Sequence, residues 1–155
     1  MMTYTLEGLA AEQEELLLDR FDYEFVWALG QAIRERASAE RAPVAIQVRH
    51  GSSPIFTTLL PGATIDNLDW TARKCAVAHR FHKSSLAIRL EAEAGRYEFN
   101  DRFRLPKETY VASGGGVPLI LRNGTLVGTA SVSGLPDEDD HRLIVEALQG
   151  LSAAA

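Results

Sequence analysis

The sequence predicts an α+β domain, an antiparallel sheet of about five strands with helices packed on it. Three observations carry that class. Two pairs of β-type runs, 44–49 with 55–60 and 117–121 with 125–132, are each joined by a short turn, which marks hairpins. Three longer stretches, 22–39, 64–82 and 137–151, repeat apolar residues every three or four positions, as helices do. The elements also come as helix, short strand, helix, hairpin, helices, hairpin, helix, without the strict alternation of a parallel sheet.

Taken in order, residues 5–15 set Leu6, Leu9 and Ala10 against Glu12, Glu14 and Glu15, a weakly amphipathic helix. Leu16-Leu17-Leu18 reads as a brief strand, because Asp22 then caps a new helix. That helix, 22–39, stacks Phe25, Leu29 and Ile33 on one side and turns Arg34, Glu35 and Arg36 outward. After Pro43 the two strands of the first hairpin flank His50-Gly51-Ser52-Ser53, and Pro61-Gly62 ends the unit. Thr64 to Asn67 offers N-caps for a helix reaching about His82, with Trp70, Lys74, Val77 and Phe81 on one side. Leu68, Ala72, Cys75, His79 and His82 lie on the other, so this helix can sit between its own core and a partner subunit. The run 86–90 fits helix or strand, and the Glu/Ala content of 90–94 tips it toward helix. Residues 95–107 read as a polar surface excursion carrying Tyr97, Phe99 and Phe103. The second hairpin turns on Asn123-Gly124, where both residues tolerate positive φ, and Pro118 places its strand at an edge or beside the glycine loop. Asp137 to Asp140 open the last helix at the positive end of its dipole. Leu143, Ile144, Ala147, Leu148 and Leu151 form its buried stripe, and Ser152 with the terminal alanines is expected to fray.

The totals narrow the function. At 155 residues the chain is expected to be one domain spanning 1–155. A net charge of −5 disfavours nucleic acid and anionic membrane surfaces, which require a basic face. The lone Cys75 excludes an internal disulfide. The acidic start MMTYTLEGLAAEQEE is unlike a signal peptide, and no run reaches the roughly 18 apolar residues of a membrane span. A cytoplasmic location is expected.

Four stretches tie the chain to a family: LPGATIDNLDWTARK (60–74), RFHKSS (80–85), GGGVPL (114–119) and VGTASVSGLPDEDDH (127–141). They resemble one branch of the GlcG/HbpS-like family, often labelled haem-degrading domain, in the right order and over nearly the whole chain. The resemblance implies a profilin-like fold, assembly into homo-oligomers, and haem as the ligand to consider.

Candidate site residues follow from motif and chemistry together. Gly114, Gly115 and Gly116 can present N–H groups to an anion, or can form a tight bend where backbone meets backbone. His141 can stand at a pocket mouth as an acid/base or ligand group, or can belong to a solvated helix start. Arg73, Lys74 and Arg80, with Ser84 and Ser85, can bind a carboxylate. Equally, the basic residues can pair with Asp66, Asp69 or the acidic segment 137–140. Cys75, His79 and His82 have a spacing compatible with soft-metal or haem-iron ligation, but a buried thiol and packed histidines explain it without a metal, and no metal site is assigned. No nucleophile-elbow pattern surrounds any serine, so no catalytic residue is assigned. Three classes stay open: a module binding a small anionic ligand such as haem, a haem-degrading enzyme, and a scaffold without a ligand.

Overall fold

The computed structural model describes residues 3–154. Helices α1 (Leu6–Glu15) and α2 (Tyr23–Ala39) come first, followed by strands β1 (Ala45–His50) and β2 (Ser53–Leu59). Helices α3 (Ile65–Phe81), α4 (Ser85–Gly95) and α5 (Phe99–Phe103) lead to β3 (Gly116–Ile120), β4 (Leu126–Ser133) and α6 (Asp137–Ala154). The α+β class holds. The sheet, however, has four strands in the order β2-β1-β4-β3, every neighbour antiparallel.

The expected fifth strand at Leu16–Leu18 is a single bridge. Leu18 N–H donates to the Ile120 carbonyl at 2.8 Å, and Arg122 N–H donates to the Leu18 carbonyl at 3.0 Å. The pairing stops there because Asp22 already caps α2, accepting the Phe25 N–H at 2.7 Å.

Alternation along the strands sorts the sheet into two unlike faces. Ile46, Val48, Val117, Leu119, Ala130 and Val132 join Leu29, Ile33, Leu143 and Ile144 in the main core beneath α2 and α6. Helix α3 covers the opposite face, where Gln47, Thr129, Ser131 and Ser133 are buried. The α3 residues turned inward are Thr71, Lys74, Cys75 and Ala78. Its other flank does not wait for a partner: Val77 and Phe81 pack against Ile88, Ala92 and Phe99 in a second core.

Residues 86–90 are helical, the reading their Glu/Ala content favours, and Ser84 caps α4 by accepting the Ala87 N–H at 3.2 Å. Other expectations are revised. The supposed surface excursion carries α5, and Phe81, Phe99 and Phe103 stack within 4.9–5.7 Å of one another. The Asn-Gly turn is not of the type with two positive φ angles. Only Gly124 is left-handed (φ 95°), with its N–H donating to the Leu121 carbonyl at 2.8 Å, so a type I turn is followed by a glycine bulge. Pro118 lies on the edge strand β3, as its missing N–H requires. Helix α6 runs past Ser152 to Ala154, and Ala155 lies outside the described residues. Among the described residues, no helix is long and apolar enough to cross a membrane.

Candidate functional site

The glycine bend enters β3 wedged between α3, α4 and the start of α6. Gly114 N–H donates to Asp137 Oδ2 at 2.8 Å, Gly116 N–H donates to Ser85 Oγ at 2.8 Å, and the Gly115 carbonyl accepts the Val132 N–H at 2.9 Å. The two outer N–H groups are therefore already occupied by side chains of the same chain. Glycine is needed for space: a Cβ on Gly116 would lie 2.5 Å from the Lys74 carbonyl oxygen, and one on Gly114 2.6 Å from that of Asp137. Of the two sequence-level readings, the packing realises the close backbone approach.

Lys74 reaches the same bend from α3. Its Nζ donates to Asp140 Oδ2 and to the Val132 carbonyl, each at 3.0 Å, with both residues of the pair at most 2% exposed. Asp140 also accepts the Leu135 N–H at 3.0 Å and the Gly134 N–H at 3.3 Å. Burial pushes the Asp140 carboxyl up to about 6 despite the pull of Lys74, and burial pushes the Lys74 ammonium down despite the pull of Asp140. Desolvation thus costs this pair more than its attraction returns, as is common for buried ion pairs. The pair stitches α3 to α6 across the end of β4. Beside it, Arg89 Nε donates to Asp137 Oδ2 at 2.7 Å, so Asp137 holds α4 and the glycine bend at once.

His141 is 1% exposed. Its Nε2 lies 2.7 Å from Glu12 Oε1, its ring meets Tyr4 edge-on at 5.3 Å, and its Nδ1 has no hydrogen-bond partner. An unpartnered buried nitrogen of this kind costs about 1–3 kcal/mol. Ser84 and Ser85 are buried too, one capping α4 and the other holding Gly116.

Arg73 and Arg80 behave differently. They lie seven residues apart on the outer side of α3. Arg73 sits over Trp70 at 4.4 Å and pairs with Asp69 at 3.0 Å, while the exposed Arg80 lies 5.8 Å from the ring of Tyr110. The nine predicted residues therefore separate into an inner framework and an outer pair. Cys75 points into the sheet, where burial pushes its thiol up, whereas His79 and His82 are exposed. The three do not converge, and no group of His, Cys, Asp or Glu able to hold a metal ion occurs among the described residues.

The sequence reading placed Asp140 in the acidic segment without singling it out, and it left out Arg89 and Glu12 as site residues. The ion pairs Arg73–Asp69 and Lys74–Asp140 realise the expected pairing of basic residues with Asp69 and with segment 137–140. Nothing in the sequence signals Glu12–His141, which joins residues 129 positions apart. The framework as packed does not fit a haem macrocycle, because His141 is covered and the N–H groups of Gly114 and Gly116 are taken. A cleft of about 670 Å³ between residues 15–20, α2 and the end of α6 includes none of the predicted residues. It also has no His, Cys, Met or Tyr in its lining to ligate haem iron.

The model of the family described as "Haem degrading protein HbpS-like" matches residues 21–149. A UPF0303 protein of Paraburkholderia phymatum is 38% identical over 147 residues, covering 95% of this chain and 89% of its own length. One from Burkholderia thailandensis is 41% identical over 143 residues, with coverage of 92% and 87%. Among solved structures, the Ybr137w protein superposes with a TM-score of 0.90 at 26% identity, over 99% of this chain and 90% of that one. A PduOC:haem complex superposes at 0.71 with 20% identity, over 83% and 93% of the two chains. An HbpS double mutant of Streptomyces reticuli superposes at 0.69 with 19% identity, over 86% and 88%. The chain belongs to the HbpS-like family of haem-degrading proteins.

Proposed function

We propose that the protein is a cytoplasmic module that binds a small, flat, anionic ligand on the outer side of α3. The observation that carries this reading is the pair Arg73 and Arg80, each beside an aromatic ring, Trp70 or Tyr110. Seven helical residues separate them by roughly 10 Å along the axis. Two guanidinium groups at that spacing, flanked by rings, complement a planar molecule with two acidic groups. Haem is the first ligand to test, since it is flat and carries two propionates, and a protein of similar fold was crystallised with it. When bound, haem would supply a redox-active iron; Arg73 and Arg80 would hold its acidic groups, and Tyr110 beside Arg80 or the exposed His79 would be the candidate iron ligands. The Gly114–Gly116 bend, Lys74, Ser84 and Ser85 serve this site by fixing the pitch and position of α3.

Titration with haemin tests the proposal. A saturable Soret shift is expected, weakened at least tenfold in Arg73→Ala/Arg80→Ala with folding unchanged. A flat titration, or equal affinity in the double variant, would refute the α3 site. The enzyme alternative requires in addition that haem with a reductant bleach faster with this protein than with albumin.

A second reading, homo-oligomeric assembly, is favoured by strand β2. It pairs on one side only, its sequence SPIFTTL contains no charge, and Ile55 on it is 41% exposed. The nearby Trp27, stacked on Phe56, is 57% exposed. Pro54 and the irregular register opposite Val48 and Arg49 blunt the start of this edge, while the stretch from Ile55 to Leu59 carries no protecting charge. Size exclusion with light scattering should give a multiple of 17.0 kDa, and Ile55→Lys should return the monomer. A wild-type monomer would overturn this reading.

A further inference from the structure

Helix α1 is held to the rest of the molecule by few contacts, and those near His141 are polar. Of its ten residues only Leu9 is buried, against Leu86 and Ala87. Otherwise α1 is tied down by Gln13 Nε2 donating to the His82 carbonyl at 2.8 Å and by Glu12 on His141 Nε2 at 2.7 Å. Tyr4, just before the helix, closes over the imidazole ring. Between α1 and the body lies a void of about 10 Å³ lined by Glu12, Gln13, Ser84, Pro118 and His141 among others, at the lower limit of space for one water.

Two features of this place suit a ligand better than a permanent packing contact. His141, only 1% exposed, directs its Nε2 at a carboxylate carried by this loosely tied helix, Glu12 Oε1 at 2.7 Å. Ser84 Oγ accepts the Ala87 N–H and retains a proton for which no acceptor occurs among the described residues. Around these two donors stand Val117, Pro118 and Ile120, an apolar wall on the edge strand.

The geometry points to a binding site for a small aliphatic carboxylate centred on His141, with Glu12 as its internal occupant and α1 as its displaceable cover. In the closed form the Glu12 carboxylate fills the anion position. When α1 swings away about the Leu18 bridge, a free carboxylate can accept from His141 Nε2 and from the Ser84 hydroxyl, with its alkyl part against Val117, Pro118 and Ile120. The site is separate from the Arg73–Arg80 strip and does not depend on haem binding there.

Butyrate is the probe, and protein labelled with nitrogen-15 at histidine reports on it by NMR, the exposed His50, His79 and His82 serving as internal controls. In Glu12→Ala the His141 resonance should shift saturably with butyrate, at a concentration at least tenfold below that needed in wild type, because a tethered carboxylate competes at millimolar effective concentration or above. Glu12→Gln, which keeps the size and helix preference of the side chain, should behave alike and guards against unfolding of the alanine variant. Hydrogen exchange in the wild type should show α1 amides opening much faster than those of α2. No saturable His141 response in either variant, the same response as wild type, or α1 exchange as slow as that of α2 would each overturn the site. A haemin titration that fails while butyrate shifts His141 would refute only the α3 reading.

Discussion

Replacing Lys74 by methionine is expected to destabilise the protein by about 3–5 kcal/mol, the usual cost of removing one partner from a buried ion pair. Methionine fills most of the space of the lysine stem, so the loss is electrostatic. It leaves the Asp140 carboxylate, 1% exposed, facing an apolar side chain, and it leaves the Val132 carbonyl without the ammonium donor. Denaturant unfolding at pH 7 measures the effect. Adding Asp140→Asn should recover a large part of the loss, because an amide oxygen still accepts the Leu135 N–H while the buried charge is gone. The sign of the pH dependence follows from the same burial. In the wild type the folded Asp140 carboxyl is already raised from 3.8 to about 6, so its protonated form favours the fold, and that contribution fades as pH rises through this window. In Lys74→Met the cation that opposes the rise is gone, so the window extends upward, and the penalty measured at pH 7 should shrink on going to pH 5. A penalty under about 1 kcal/mol, or one that grows toward pH 5, would contradict this account.

The second large effect is expected at Gly115. Its φ of +119° lies in a region that side chains rarely adopt, at a cost on the order of 1–3 kcal/mol. A Cβ there would also press into the Val132 carbonyl oxygen and lie 2.8 Å from Lys74 Nζ and 2.9 Å from Asp140 Cβ. Val132 is backbone in the middle of the sheet, so it cannot give way cheaply. Gly115→Ala should therefore cost about 4 kcal/mol or more and disturb the ion pair beside it. Gly124→Ala isolates the conformational part. That glycine has φ 95° with nothing within 4 Å of its would-be Cβ, so roughly 1–2 kcal/mol is expected. Parallel thermal melts of the two variants decide the matter: equal losses would mean that the close approach at Gly115 contributes nothing.

These two sites show what kind of information a sequence carries. Local signals are legible because they act between near neighbours. Asp22, Thr64 and Ser84 each precede a helix and cap it, and the stripes of α2, α3 and α6 follow from a period of 3.6. The hairpins were legible for the same reason, down to the edge position of Pro118. The strand expected at Leu16–Leu18 failed because an apolar run alone cannot say whether a neighbouring strand has room and direction to pair with it. The packing of 95–107 is not legible in its sequence because its aromatic residues are spaced irregularly, and only folding brings Phe99 and Phe103 onto Phe81.

For the candidate site the division is sharper. GGGVPL, RFHKSS and DEDDH, far apart in the chain, meet around one bend. Their chemistry was not legible, because burial and partnership are properties of three-dimensional proximity. Lys74 and Arg73 are adjacent in sequence and equally basic, yet a rotation of about 100° along α3 sends one into the sheet and the other outward. Glu12 is one of several glutamates in an acidic helix, and only the docking of α1 selects it for His141. By itself, then, the sequence determined the longer helices, the two hairpins, the α+β class and the family, because these rest on short-range periodicity and on motifs that occur in order. The tertiary structure decided which charges are buried together and which remain free, because desolvation and hydrogen bonding depend on contacts between residues far apart in the chain.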